Sequence, residues 1–193
     1  MVNNKIEDQV LFDGDDDLFK EILKGSKVYG EYGCGASTLW VANNTDCSIL
    51  SVDSSSVWAD KVLEGTCGRG GVLVSYIDLG PIGQWGYPLT YNKIENFTTY
   101  TDWIWQKDEK PDVVLIDGRF RVCCFLTTLL NADPDTYIIF DDYRDREKYH
   151  YIERFLKPIL MSGRQAVFMT PEKGFVDKEK LIESIDMFRC VLD

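Results

Sequence analysis

The sequence predicts an α/β fold: a doubly wound, mostly parallel sheet with helices on both faces. Short apolar runs alternate with longer amphipathic stretches along the chain, which is the pattern of strands joined by right-handed crossover helices. One of these runs, Asp112–Asp117, is wholly apolar between its acidic ends. Such a run is typical of a parallel strand that is covered on both faces.

The elements follow in order from the N-terminus. The first helix, 18–24, is preceded by the acidic run Asp15–Asp17 as its N-cap, and Gly25 ends it. A seventh strand is either absent or formed by 188–192. The predicted strands are 27–32, 48–53, 72–77, 112–117, 136–141 and 164–170, and the later helices are 37–42, 57–63, 122–130, 146–160 and 178–189.

Composition excludes several classes of protein. The 193 residues fit one domain, and no apolar run approaches the ~18 residues of a membrane span. Thirty-two acids against 21 bases give a net charge of −11, which disfavours nucleic acid and anionic membranes as partners. The N-terminus lacks the apolar stretch of a secretory signal, and the six cysteines include no C-x-x-C pair. We therefore expect a cytoplasmic protein with reduced thiols.

The first strand leads into a glycine-rich turn. Gly33 and Gly35, spaced by one residue, allow a tight turn and close approach of a ligand to a helix N-terminus. A P-loop is excluded because the segment has no lysine, and a dinucleotide fingerprint would place a third glycine at Thr38. The phrase Glu31-x-Gly33-x-Gly35 instead resembles the first motif of class I S-adenosylmethionine-dependent methyltransferases.

That resemblance continues along most of the chain, roughly over 18–170. Phrases such as Trp85-Gly86-x-Pro88 and 114–121 are similar to small bacterial methyltransferase-like proteins. The resemblance implies S-adenosylmethionine as cofactor, a seven-stranded (or six-stranded) Rossmann-like sheet, and a single domain with an N-terminal helical segment (1–25), a cofactor-binding half (26–80) and a substrate half (81–193). The cofactor residues that it implies are Glu31, Gly33, Gly35, Ser37, Thr38, Asp53, Ser54, Asp78, Trp85 and Asp117.

Three carboxylates follow the fourth and fifth predicted strands. Asp117 ends one strand, and Asp141 and Asp142 end the other, so we expect them to converge at one edge of the sheet. The set resembles that of metal-dependent O-methyltransferases, which implies Mg²⁺ bound by these three aspartates. The alternative is ion pairing with nearby arginines, for example Asp117 with Arg144. Without a metal, Asp117 is the candidate general base.

Other side chains beside these strand ends are candidates for substrate contacts. Arg119, Arg121, Arg144 and Arg146 lie close in sequence to the three acids and are suited to binding an anion, with surface arginines on two loops as the alternative. Tyr143 is a further candidate for substrate contact. His150 is a candidate catalytic residue, although a lone histidine is more often structural. The adjacent Cys123 and Cys124 are expected to be buried.

The sequence thus favours a methyltransferase acting on oxygen of a small polar metabolite, with anions and sugars as candidate classes. Two alternatives remain at this point. One is a cofactor-binding, non-catalytic regulatory or scaffold domain, and the other is a nicotinamide oxidoreductase. An uncovered sheet edge also allows a homodimer.

Overall fold

The computed structural model describes residues 10–12 and 16–193. The strands of its central sheet are β1 (Val28–Tyr32), β2 (Ser48–Asp53), β3 (Val72–Tyr76), β4 (Val113–Ile116), β5 (Tyr137–Phe140), β6 (Leu160–Ser162) and β7 (Gln165–Met169). Their order across the sheet is β3-β2-β1-β4-β5-β7-β6. The first five pair in parallel, and β7 is antiparallel to both of its neighbours. The predicted fold class is confirmed.

Helices cover both faces of this sheet. The α-helices of the described chain are α1 (Asp17–Leu23), α2 (Ala36–Asn44), α3 (Ser56–Gly65), α4 (Phe97–Asp102), α5 (Arg121–Asn131) and α6 (Lys178–Phe188). Short 3₁₀ helices span Gln84–Gly86, Ile94–Asn96, Trp103–Gln106 and Glu147–Arg154. The segment 83–110, which the sequence analysis left without elements, therefore carries α4 and three 3₁₀ helices. None of the helices in the described ranges has the length and apolar character that a membrane span requires.

Alternation along the strands explains the two main cores. In β4, Val114 and Ile116 pack in the larger core with residues of α4, α5 and α6, while Val113 and Leu115 pack in the core that includes α1 and α2. All four side chains are buried. This is the behaviour of a central parallel strand, and it places the ends of β1 and β4 side by side in the middle of the sheet.

The start of α1 differs from the expectation. Asp16 occupies the N-cap position, but its carboxylate accepts hydrogen bonds from the backbone N–H groups of Leu11 (2.8 Å) and Phe12 (3.2 Å) instead of capping the helix. Asp15, part of the predicted cap, lies outside the described residues. Gly25 follows the helix at φ +90°, as a glycine at this position should.

The C-terminal third corrects two predictions. The helix expected over 146–160 is a 3₁₀ helix that ends at Arg154, and the chain then enters β6 after Pro158, which cannot continue a helix. A seventh strand is present, but it comes from the β6–β7 hairpin and not from 188–192. Gly163, at φ +53°, supplies the turn of that hairpin.

Candidate cofactor and acceptor site

The turn after β1 lies directly against the turn after β4. Gly33 has φ +94°, and a Cβ built on it would stand 2.7 Å from both the Cα and the N atom of Gly118. Only glycine fits this approach. Gly35 differs, because no heavy atom lies within 4 Å of the position its Cβ would take. Gly33 therefore allows the two turns to pack together, and Gly35 leaves open space above the start of α2.

Glu31 stabilises the Gly33–Gly35 turn through buried hydrogen bonds. Its wholly buried carboxylate accepts hydrogen bonds from the hydroxyls of Ser37, Thr38 and Ser51, the last at 3.2 Å. Thr38 Oγ1 in turn accepts the backbone N–H of Gly35 at 2.9 Å. Burial raises the pKa of Glu31 to about 7, although the hydroxyl donors oppose that rise. Glu31 and Thr38 thus lie behind the turn, where they fix its shape.

Asp53 links the same turn to the end of β2. Its two carboxylate oxygens accept the backbone N–H groups of Cys34 (2.8 Å) and Ser55 (2.6 Å). Burial raises the pKa of this carboxyl, and the two N–H donors act in the opposite direction. A carboxylate has about four acceptor positions, so Asp53 retains capacity for a ligand hydroxyl.

The loop after β3 is fastened to the end of β2. The hydroxyl of Ser54 donates to the carbonyl oxygen of Gly86 at 2.9 Å, and a Cβ on Gly86 would stand 2.5 Å from that hydroxyl. The neighbouring Trp85 has φ +58° and is 83% exposed. This backbone conformation holds a large aromatic ring at the rim of the site, in a φ region that such residues seldom adopt.

A cavity of about 820 Å³ lies over the carboxyl ends of the central strands. The predicted site residues that line it are Gly33, Gly35, Ser37, Asp53, Ser54, Trp85, Asp117, Arg119, Arg121 and Asp142. A second cavity of similar volume lies between α1 and α2, and its lining includes none of the predicted residues.

Of the other predicted residues, Glu31, Thr38 and Asp141 are fully buried beside this cavity without lining it, and four lie elsewhere. Asp78 is half exposed and faces Lys93 at 4.0 Å. Arg144 lines a neighbouring cavity of about 490 Å³ together with Arg146. The buried Tyr143 donates its hydroxyl to Glu153 at 3.0 Å, and His150 Nε2 hydrogen-bonds the carbonyl oxygen of Tyr143 at 3.1 Å. The structure does not bring these four residues to the large cavity.

The three predicted aspartates do converge. Carboxylate oxygens of Asp117, Asp141 and Asp142 lie within 4.8 Å of one another. Asp142 has φ +56°, a left-handed conformation that aspartate tolerates better than most residues. Burial and the neighbouring Asp141 raise the pKa of Asp117 to about 7, while Arg121 opposes the rise.

Arg121 stands among these carboxylates and joins the ends of β4 and β5. Its Nη2 is 3.0 Å from Asp117 Oδ1, and its Nη1 is 3.3 Å from Asp142 Oδ2. It also donates to the backbone carbonyls of Gly118 (3.0 Å), Asp141 (2.8 Å) and Asp117 (2.9 Å). The side chain is only 4% exposed. The ion pair that Asp117 makes is therefore with Arg121, and the suggested pairing with Arg144 is wrong.

Two further arginines complete the cluster. Arg164, from the β6–β7 hairpin, donates Nε and Nη2 to the carboxylate of the fully buried Asp141 at 3.0 and 2.7 Å. Arg146 Nη2 donates to Asp142 at 2.6 Å. Three carboxylates are thus paired with three guanidinium groups. Each carboxylate that a Mg²⁺ ion would need thus already has a positively charged partner, which disfavours a metal at this cluster.

Sequence reasoning missed several members of the site. Arg164 lies 23 residues beyond Asp141, in a hairpin at the edge of the sheet. Gly118 carried a signal, since the Asp117-Gly118 pair is typical of a turn. No sequence pattern indicated Tyr100 or Asp193. Their side chains accept hydrogen bonds from the backbone N–H groups of Arg119 and Arg121, respectively.

The two adjacent cysteines have the expected burial. Cys123 and Cys124 are both inaccessible within α5, and burial raises the pKa of each thiol. Both therefore stay protonated at neutral pH, and they belong to the core.

Comparison with solved structures identifies the class of protein. A methyltransferase-like protein from Silicibacter pomeroyi DSS-3 is 30% identical, with a TM-score of 0.80 over 94% of this chain and 97% of that one. The N-methyltransferase NodS from Bradyrhizobium japonicum WM9, solved with S-adenosyl-L-homocysteine, is 14% identical, with a TM-score of 0.53 over 81% of this chain and 87% of that one. An O-methyltransferase family protein from Burkholderia thailandensis is 10% identical, with a TM-score of 0.50 over 82% and 55%.

Neither the family models nor the curated proteins include a match to this sequence. The fold is nevertheless that of class I S-adenosylmethionine-dependent methyltransferases. With 30% identity over nearly its whole length to the Silicibacter protein, the chain belongs to this methyltransferase family.

Proposed function

We propose that this protein binds S-adenosylmethionine over the ends of β1 and β2 and transfers its methyl group to an oxygen of a small polar acceptor. The observation that carries the proposal is one cavity that holds both sets of groups. The Gly33–Gly35 turn and Asp53 lie on one side, and Asp117 lies on the other. The complex of NodS with S-adenosyl-L-homocysteine supports this cofactor for a chain of the same fold.

On the cofactor side, each residue has a physical reason for its assignment. The acceptor capacity left on Asp53 suits the two hydroxyls of a ribose, to which a carboxylate binds with charge-assisted hydrogen bonds. The open space above Gly35, at the start of α2, suits the amino-acid end of the cofactor, whose carboxylate is favoured near a helix N-terminus. Trp85 provides an aromatic surface for the adenine.

On the acceptor side, Asp117 acts as the base. The hydroxyl proton of the acceptor passes to the Asp117 carboxylate as its oxygen forms a bond to the methyl carbon. The carbon–sulfur bond breaks, and the electron pair remains on sulfur, so a positive sulfonium becomes a neutral thioether. Because Arg121 and Arg164 already balance the carboxylates, we propose that the reaction runs without a metal ion. Methyl transfer of this kind depends mainly on positioning.

The test is the pH dependence of S-adenosylhomocysteine formation with a panel of small hydroxylated acids, phosphates and sugars. The base must be ionised, so kcat should rise with pH through about 7 and then level off. Asp117→Asn should lower kcat by about 10²–10⁴-fold and remove this rise. Asp60→Asn, on the exposed face of α3, serves as the control.

Two outcomes would contradict the proposal. Unchanged kcat in Asp117→Asn would remove Asp117 from the reaction. Binding of S-adenosylhomocysteine without turnover of any acceptor in the panel would instead favour a non-catalytic, cofactor-binding domain.

A further inference from the structure

Arg119 differs from every arginine of the carboxylate cluster. It lies two residues after Asp117, lines the large cavity and is only 8% exposed. Its side chain makes no hydrogen bond or ion pair with any described residue, and its buried Nε has no acceptor. Arg121, two positions further on, uses its guanidinium for five polar contacts.

The position of Arg119 is fixed by its backbone. The N–H of Arg119 donates to the hydroxyl of the fully buried Tyr100 at 3.1 Å. The next residue, Phe120, has φ +53° and packs its ring against Phe97 and Tyr100. The side chain therefore leaves a rigid turn, and its place at the cavity does not depend on a mobile loop.

Arg119 shifts the pKa of two nearby acids, Asp53 and Asp193, without forming an ion pair with either. The guanidinium lowers the pKa of Asp53 and of Asp193, against the larger effect of burial on each. Both carboxylates have other partners. Asp53 accepts the backbone N–H groups of Cys34 and Ser55, and Asp193 accepts the N–H of Arg121 at 2.9 Å.

Arg119 is costly without a partner, because its buried Nε has lost water and gained no hydrogen bond in return. A buried guanidinium is normally paired with a carboxylate or phosphate, for which its planar set of donors is suited. The partner that Arg119 lacks within the described chain is therefore best supplied by a ligand in the cavity.

We propose that Arg119 is the anion-binding residue of this cavity and that it binds a carboxylate or phosphate group of a ligand. Two ligands of the proposed function can carry such a group: the acceptor, or the amino-acid end of the cofactor. To that extent the inference rests on the proposed function. If the acceptor carries the anion, Arg119 selects acidic metabolites over neutral sugars.

The first measurement is calorimetric titration of inorganic phosphate into the protein, alone and with S-adenosylhomocysteine bound. Arg119→Gln should weaken phosphate binding by about 10-fold or more, since a charge-assisted pair is lost. Arg119→Lys, which keeps the charge without the planar donors, should fall between this variant and the wild type. The exposed Arg154, which lines neither cavity at the strand ends, provides the control Arg154→Gln, with unchanged binding expected. Thermal unfolding of each variant checks that the fold is retained.

The second measurement identifies the source of the anion. S-adenosylhomocysteine carries a carboxylate, whereas 5′-methylthioadenosine lacks it. If Arg119→Gln weakens the first ligand and not the second, Arg119 binds the cofactor's carboxylate. If it weakens only phosphate binding in the S-adenosylhomocysteine complex, Arg119 binds the acceptor's anion.

Equal affinity of the wild type and Arg119→Gln for phosphate and for both nucleosides would overturn the inference. This result is distinct from failure of the proposed function. If the proposed function fails, the wild-type protein does not bind S-adenosylhomocysteine at all. Phosphate binding that depends on Arg119 would still be measurable on the free protein.

Discussion

The two sides of the cavity hold their carboxylates in different ways. On the cofactor side, Glu31 and Asp53 accept hydrogen bonds from hydroxyls and backbone N–H groups, and neither has an ion pair within the described chain. On the acceptor side, Asp117, Asp141 and Asp142 are paired with guanidinium groups. The first side is a rigid backbone cradle, and the second is a charge-balanced cluster.

This difference indicates what each side can bind. Neutral donors fix a carboxylate while leaving acceptor positions for a ligand hydroxyl, as at Asp53. Arginine pairing balances the charge of the three aspartates without a further cation, which supports the proposal of a reaction without a metal ion. Asp117 is paired with Arg121 and also keeps carboxylate surface for a ligand, because it is about one third exposed.

The largest effect is expected where the two sides touch. Gly33→Ala places a Cβ 2.7 Å from backbone atoms of Gly118 and holds alanine at φ +94°. Strain and overpacking together should lower the free energy of unfolding by about 4–6 kcal/mol, measured by urea denaturation. The sequence alone suggests that a side chain at Gly33 would block the cofactor. The structure assigns the damage to the contact between the β1 and β4 turns.

Two glycine controls separate strain from contact. Gly25→Ala, at φ +90° with no heavy atom within 4 Å of its Cβ, should cost only about 1–2 kcal/mol. Gly35→Val should leave stability nearly unchanged but weaken S-adenosylhomocysteine, because its side chain enters open space in the cavity. Equal destabilisation by Gly33→Ala and Gly25→Ala would disprove the close contact.

The next effect concerns the charge-balanced cluster. Arg121→Met leaves three buried carbonyls and the Asp117 carboxylate without their donor, and should destabilise the protein by about 3–5 kcal/mol. Arg146→Met removes a pair that is 45% exposed on the arginine side and should cost about 0–1 kcal/mol. Chemical denaturation of both variants measures the difference. Similar losses would mean that Arg121 does not hold the strand ends together.

The smallest effect is expected on the cofactor side. Asp53→Asn keeps one oxygen but loses the charge, so the affinity for S-adenosylhomocysteine should fall by about 1–3 kcal/mol. Asp60→Asn on α3 should bind as the wild type does. Calorimetric titration of both variants compares them, and an unchanged affinity in Asp53→Asn would exclude Asp53 from the cofactor site.

The sequence predicts the cofactor side better than the acceptor side, for a physical reason. Gly33, Gly35 and Asp53 follow strands directly, so strand ends and turn chemistry are enough to place them together. Their different roles could not be predicted, because the contact of Gly33 with Gly118 joins two distant turns. Convergence of the three aspartates was predicted in the same way. The pairing of Asp141 and Asp142 with Arg164 was not predicted, because it depends on the β6–β7 hairpin, whose first strand the sequence did not indicate.

The central claim is that a rigid cofactor cradle adjoins an acidic cluster that arginines, not a metal, neutralise. Calorimetric titration of S-adenosylhomocysteine with and without Mg²⁺ tests it most directly. We predict a micromolar dissociation constant that Mg²⁺ does not change, and no separate heat of Mg²⁺ binding. Failure of the nucleoside to bind, or binding that requires Mg²⁺, would contradict this account.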